Sequence, residues 1–132
     1  MAIELQAVVW TTVILFVLLF IQGMLVPLKQ GFAWGLGSRD ESREITAFQG
    51  RATRTVSNHI EGMLMFVPLV LVAQMSGISS PLTVWGAGLY LGSRVVYAPL
   101  YMLGVPLWRS IAWAGAVAGT VMVAIALIAY MI

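Results

Sequence analysis

The chain has 132 residues, of which 61% are hydrophobic and only 9% are charged. Soluble domains carry about 25% charged residues, so this composition excludes a water-soluble globule and predicts an integral membrane protein of several helices. The formal net charge of +2 excludes a surface built for nucleic acid, and with no cysteine and one histidine the chain lacks the ligands of common metal sites.

Four apolar stretches are long enough to cross a membrane. The first carries no charge and would extend about 33 Å as a helix, against a hydrocarbon core about 30 Å thick. Glu4 stands where a signal peptide would have basic residues, so we expect this stretch to stay in the protein. The stretches predict an all-α fold, a four-helix bundle forming a single membrane domain over residues 1–132. They cover about residues 7–28, 56–76, 82–103 and 107–131.

Residues 29–44, between the first two stretches, switch to glycine, serine and charge, which predicts a loop outside the membrane. Ser38 followed by Glu41 fits a capping box, so we expect a helix to restart there. Basic residues near span ends mark the cytoplasmic side. Here they lie in this loop and at the third-to-fourth turn, whereas both termini have none. Both termini are therefore predicted to face away from the cytoplasm.

Two ionisable residues, Glu61 and Arg94, lie inside predicted spans. Such a group costs at least about 2.5 to 3.5 kcal/mol at the centre of a span, and it tends to face protein or a wet cavity. Equal depth and opposite charge predict that the two residues pair. At about 100° per residue, the polar residues of each span share one arc. The arcs hold Arg51, Arg54, Asn58 and Glu61 on the second span, and Tyr90, Arg94, Tyr97 and Tyr101 on the third.

Arg109 and Ser110 lie near the start of the fourth stretch, where a helix N-terminus adds partial positive charge. Together with the two arcs they predict a cavity that opens to the cytoplasm. Such a cavity suits a small anion with carboxylates, because a planar guanidinium can form a bidentate pair of hydrogen bonds with each carboxylate.

A purely structural interpretation is also open. The intramembrane polar residues could be contacts that hold the helices in register, and Arg51 and Arg54 could be anchors at the membrane surface. His59 points about 100° away from Asn58 on a helix. We interpret His59 as a structural or interfacial residue.

The segment 51–61 resembles the signature of the MAPEG family, the membrane-associated proteins in eicosanoid and glutathione metabolism. The R-x-x-x-N-x-x-E core of that signature is matched by Arg54, Asn58 and Glu61. The resemblance extends over the whole chain, since the number of spans, the loop after the first span and the total length also fit.

Two further motifs carry the resemblance. Arg94, Tyr97 and Tyr101 are similar to the family's third-span pattern, in which an aromatic residue or histidine and then a tyrosine follow an arginine. Arg109 and Ser110 fall where the microsomal prostaglandin E synthase branch has an Arg-Ser pair. The chain thus resembles a bacterial-type member similar to microsomal glutathione transferase or prostaglandin E synthase.

The resemblance implies a homotrimer that binds glutathione between neighbouring subunits, near the cytoplasmic face. Arg109 would hold the glutathione thiolate, and Ser110 could hydrogen-bond the same sulfur. No metal is implied. The residues that would form the glutathione pocket are Arg51, Arg54, Asn58, Glu61, Arg94, Tyr97 and Tyr101.

The implied function is that of a glutathione-dependent transferase or peroxidase in the bacterial inner membrane or an equivalent membrane. Its second substrate would be a lipophilic electrophile or hydroperoxide that enters from the lipid. The alternative is a non-catalytic lipid-binding or scaffold member of the same fold. A third hypothesis, a small four-span exporter, requires an acid in the first span, and Glu4 lies outside that apolar run.

Three departures from the family pattern leave the substrate class open. Lys29 is the nearest candidate for a basic residue that some members place at the end of the first helix. Gly62 stands where relatives often carry a polar or aromatic residue. The turn before Arg109 is one residue shorter than in the prostaglandin synthase pattern.

Overall fold

The computed structural model describes all residues of the chain, 1–132. It contains five helices and no strand, which confirms the predicted all-α fold. The sequence predicts four helices, and the fifth is a single four-residue turn between the first two long ones. The helices are α1 (Ile3–Gln30), α2 (Phe32–Gly35), α3 (Ala47–Met75), α4 (Pro81–Met102) and α5 (Pro106–Met131).

Three helices, α1, α3 and α5, are long and apolar enough to cross a membrane. Helix α4, on which the third predicted span lies, is not among them. Its 22 residues would extend about 33 Å, so its length is sufficient. Arg94 and three tyrosines interrupt its apolar sequence. Helix α4 makes its most extensive contact with α5 and also packs against α1 and α3.

Helix α3 begins later than the sequence predicts. Residues 38–46 are not helical, so the predicted start at Ser38 is wrong. The Ser38 hydroxyl instead donates to Asp40. Thr46 caps α3: its hydroxyl accepts from the Gln49 backbone N–H at 3.2 Å, while the Gln49 side chain accepts from the Thr46 backbone N–H at 2.8 Å. Both stretches match the capping-box pattern, and only the second one begins a helix.

Two apolar clusters fill the bundle, one toward each end. The cluster near the chain termini includes Phe66 and Tyr90, whose rings stack with centroids 3.8 Å apart. The cluster near the α1–α3 loop joins α1, α3 and α4. Its buried members are Leu18, Ala52, Val56, Ala98 and Met102.

Glu4 ties the start of α1 to the start of α4. Its side chain is buried, with 1% of its surface exposed. One carboxyl oxygen accepts hydrogen bonds from the hydroxyls of Thr83 at 2.6 Å and Ser79 at 3.0 Å. This acid, which the sequence places outside the first apolar run, therefore has a structural role in the fold.

Glycines allow α4 and α5 to cross closely. A Cβ at Gly119 would lie 2.5 Å from the carbonyl oxygen of Gly86 and 2.6 Å from the backbone nitrogen of Tyr90. No real Cβ atom tolerates such distances, so only glycine fits. A Cβ at Gly88 or Gly92, by contrast, would meet nothing within 4 Å.

We expect Gly119→Ala to destabilise the protein, because the added methyl group forces α4 and α5 apart. Overpacking of this kind costs about 1 to 3 kcal/mol. The measurement is the thermal midpoint of the purified protein in detergent. Gly92→Ala is the matched control and should leave the midpoint unchanged or raise it. Equal midpoints for the two variants would show that the glycine contact does not limit helix packing.

Candidate functional site

All nine residues predicted for the site line one continuous groove on α3, α4 and α5. The groove consists of three adjoining cavities of about 190, 300 and 190 Å³. Asn58 lines both the first and the second cavity, and Tyr101 and Arg109 line both the second and the third. We name it the polar groove. The nine predicted residues in its lining are Arg51, Arg54, Asn58, Glu61, Arg94, Tyr97, Tyr101, Arg109 and Ser110.

Arg94 is the deepest cation of the polar groove, with 3% of its surface exposed. One terminal nitrogen donates to the Asn58 side-chain oxygen at 2.6 Å. The guanidinium carbon also lies 5.6 Å from the ring centroid of Tyr90 and 5.4 Å from that of Tyr97. The Nε atom is buried without a hydrogen-bond partner. Arg94 is therefore a buried cation held by an amide and two aromatic rings.

The predicted pairing of Glu61 with Arg94 is wrong, because the acceptor of Arg94 is Asn58. The guanidinium lies against Gly62, where even a Cβ would overlap it. Asn58 and Gly62 are four residues apart and share one helix face, whereas Glu61 is rotated by about 60° from Asn58 and about 100° from Gly62. Glu61 is exposed, although it lines the same cavity as Arg94.

A second group of cations surrounds Tyr101 at the end of the groove nearest the α1–α3 loop. The Arg54 Nε donates to the Tyr101 hydroxyl at 3.0 Å. The Arg109 guanidinium carbon lies 4.6 Å from the Tyr101 ring centroid. The rings of Tyr97 and Tyr101 are tilted against each other, 5.6 Å apart. Three arginines and two tyrosines thus follow one another along the groove from Arg94 to its mouth.

Two of the predicted site residues, Arg51 and Ser110, donate hydrogen bonds to backbone carbonyls of the chain. The Nε of Arg51 donates to the Met102 carbonyl at 2.8 Å, which satisfies a backbone acceptor at the end of α4. The Ser110 hydroxyl donates to the carbonyl of Pro106 at 3.1 Å, within the first turn of α5. A hydrogen bond from Ser110 to a ligand therefore requires its hydroxyl to leave that carbonyl.

Two residues considered in the sequence, Lys29 and His59, lie outside the polar groove. Lys29 is exposed in the last turn of α1. His59 is buried on the opposite side of α3, with its Nε2 2.8 Å from the backbone oxygen of Thr11. Trp113, which the sequence reasoning missed, lines two of the three cavities. It follows Arg109 by four residues, and this spacing places both on one face of α5.

The family model that describes the MAPEG family matches residues 7–129. Because the match covers nearly the whole chain, the chain belongs to the MAPEG family, as its motifs predict. This is a membrane family that includes glutathione transferases and peroxidases as well as non-catalytic members. No curated protein and no solved structure matches the chain.

We expect Asn58→Ala to destabilise the protein, because it leaves the buried Arg94 without its acceptor. A hydrogen bond to a charged group contributes about 1.5 to 3 kcal/mol. Asn58→Asp keeps an acceptor of the same shape and should retain the stability of the parent. Thermal midpoints without ligand compare the three proteins. An alanine variant as stable as the parent would show that this hydrogen bond does not hold Arg94.

Proposed function

We propose that this MAPEG chain is a glutathione-dependent membrane transferase or peroxidase acting on a lipophilic electrophile or hydroperoxide. The observation that carries the proposal is the buried guanidinium of Arg94, which has no carboxylate partner. A buried charge is normally paired, because leaving water without compensation is strongly unfavourable. An anionic ligand in the polar groove would supply the missing partner.

Glutathione fits the polar groove by charge and by donor count. It carries two carboxylates, one ammonium group and a thiol. Arg54, Arg94 and Arg109 supply guanidinium donors along the groove, and the buried Nε of Arg94 has no partner in the chain. Glu61 is the only acid in the lining and is suited to an ammonium group. We therefore assign the carboxylates of the ligand to the arginines and its ammonium group to Glu61.

Arg109 is the residue that we assign to the sulfur. When bound, glutathione supplies a thiolate nucleophile, which the chain cannot provide because it has no cysteine. A nearby guanidinium favours the charged form of a thiol, and each pKa unit corresponds to about 1.4 kcal/mol. Arg109 also lies at the start of α5, where the helix dipole adds to its positive field. Ser110, once its hydroxyl is released from Pro106, can donate to the same sulfur.

The proposal includes a homotrimer in which a neighbouring subunit closes each site. Glu61 lies about 8 Å inside the predicted second span, and it is exposed in the single chain. A carboxylate that faced lipid inside a span would be unfavourable. A second copy packed against this face of α3 would cover Glu61 and complete the groove.

We also propose that all four long helices cross the membrane, with the polar face of α4 turned toward the other helices and its apolar face, which includes Trp85, Val95 and Val96, left exposed. The basic loop and the α4–α5 turn would then lie in the cytoplasm, because basic residues concentrate at that end. The polar groove would open on the same side. Its wall beside Arg94 includes Met65, Val117 and Val121, which offer a lipophilic second substrate an apolar surface continuous with the lipid.

The alternative, a non-catalytic lipid-binding member, is favoured by a different cavity. A cavity of about 310 Å³ between α1 and α3 is lined by apolar side chains and Pro68, without any charged group. Such a surface suits an acyl chain and offers nothing to glutathione. The two functions therefore predict different ligands at different places on the chain.

We expect the purified protein to release heat when titrated with millimolar glutathione. Arg94→Gln should weaken binding about ten- to a hundredfold, as expected for losing charge-assisted hydrogen bonds. Arg39→Gln, which changes an arginine in the α1–α3 loop, is the control and should bind like the parent. The absence of heat and of thermal stabilisation with the parent would exclude the enzyme and favour the lipid-binding alternative.

We expect Arg109→Ala to reduce kcat with an aromatic electrophile by about 10², with a smaller effect on glutathione affinity. The reason is that Arg109 would stabilise the thiolate, whereas other arginines would hold the carboxylates. Arg109→Lys keeps the charge and should recover part of the rate. The measurement is steady-state turnover alongside glutathione titration. An alanine variant with the turnover of the parent would remove Arg109 from the chemistry.

A further inference from the structure

Behind the polar groove, polar side chains from three helices meet inside the bundle. Thr11 of α1, His59 of α3 and Tyr90 of α4 each have at most 1% of their surface exposed. The His59 Nε2 lies 2.8 Å from the backbone oxygen of Thr11 and 3.1 Å from its hydroxyl. The Thr11 hydroxyl lies 3.5 Å from that of Tyr90. None of the three lines the groove or takes part in the chemistry proposed above.

Tyr90 connects this cluster to Arg94. Its ring stacks on Phe66, with an angle of 8° between the planes, and the Arg94 guanidinium lies 5.6 Å from the same ring. The hydroxyl at the far end of the ring lies 3.5 Å from that of Thr11, a long and weak hydrogen bond. A ring that is buried, stacked on one side and contacted at its tip has little freedom to move. It therefore presents a fixed surface to Arg94.

His59 provides a second connection, through its neighbour in the chain. Because a carbonyl can only accept, the His59 Nε2 that faces the Thr11 backbone oxygen carries the proton. This hydrogen bond joins α3 to α1 and restricts the rotation of α3 about its axis. Asn58, about 100° around the helix, is thereby directed toward Arg94 and accepts from it.

Packing alone does not account for this cluster. Apolar side chains of similar volume would fill the space without desolvating polar groups. The second ring nitrogen of His59, Nδ1, is buried and has no partner. The polar groups of this cluster therefore lower the stability of the fold relative to apolar side chains, and they are kept in defined places. Both connections from the cluster, through Tyr90 and through Asn58, lead to Arg94.

We propose that Thr11, His59 and Tyr90 are positioning residues, which fix the orientation of the Arg94 guanidinium through the Tyr90 ring and the Asn58 amide. The inference rests on the proposed function only in that glutathione affinity is one readout of this orientation. It gives α1, which contributes no residue to the lining of the groove, a defined part in the site.

The first test uses Thr11→Val, which removes the hydroxyl but keeps the shape and the backbone carbonyl. We expect glutathione affinity to fall about three- to tenfold. The thermal midpoint should also fall, because the buried Tyr90 hydroxyl loses its partner. Thr12→Val is the matched control, because the Thr12 hydroxyl is exposed and donates only to Val8 of its own helix. In an Arg94→Gln background, Thr11→Val should have no further effect. An equal loss in both backgrounds would overturn the proposal.

The second test needs no ligand. In protein labelled with ¹⁵N-arginine, the Nε–H resonance of Arg94 is assigned by its loss in Arg94→Gln. We expect this resonance to shift in Thr11→Val and to stay in place in Thr12→Val. A resonance that stays in place in Thr11→Val overturns the positioning role. If it shifts while the parent binds no glutathione, the positioning role stands and the proposed function fails.

Discussion

The buried guanidinium of Arg94 constrains the helices around it. On insertion scales, a cation at the depth of the hydrocarbon costs at least about 2.5 to 3.5 kcal/mol when it faces lipid. In the proposed membrane arrangement, helix α4 turns this residue toward protein. Gly62 leaves room for the guanidinium, Asn58 accepts one of its hydrogen bonds, and Tyr90 and Tyr97 cover it with aromatic rings. Arg94 and its neighbouring tyrosines interrupt the apolar sequence of α4, which is not among the helices that are long and apolar enough to cross a membrane.

Protein contacts hold α4 at both of its ends and between them. At its start, the Thr83 hydroxyl donates to the buried carboxylate of Glu4. At its end, Arg51 donates to the Met102 carbonyl. Between these points, glycines bring its backbone against that of α5. These contacts fall on the helix that carries the deepest cation of the groove.

The sequence predicts the long helices and the residues that line the groove. Both follow from spacing, the helices from the length of the apolar stretches and the lining from helical phase. It does not predict which residue Arg94 contacts. Asn58, Glu61 and Gly62 lie within one turn, and the rotation of α3 decides among them. The side-chain contacts between α1 and α3, among them the one from His59 to Thr11, restrict that rotation, and they are tertiary contacts without a local signal. Helix α2 was missed for a related reason, since four residues are too few to show a period.

Aromatic rings rather than carboxylates neighbour the arginines of the groove, and this choice has a chemical consequence. A carboxylate would neutralise a guanidinium and occupy two of its N–H donors. An aromatic face stabilises the cation by about 0.5 to 2 kcal/mol and leaves its charge unneutralised. The Tyr101 ring, for example, faces two arginines, Arg54 and Arg109. The groove therefore keeps most of its donors and its positive potential free, and its one acid, Glu61, stands apart from them. A ligand with several anionic groups and one cationic group complements this arrangement better than a simple anion does.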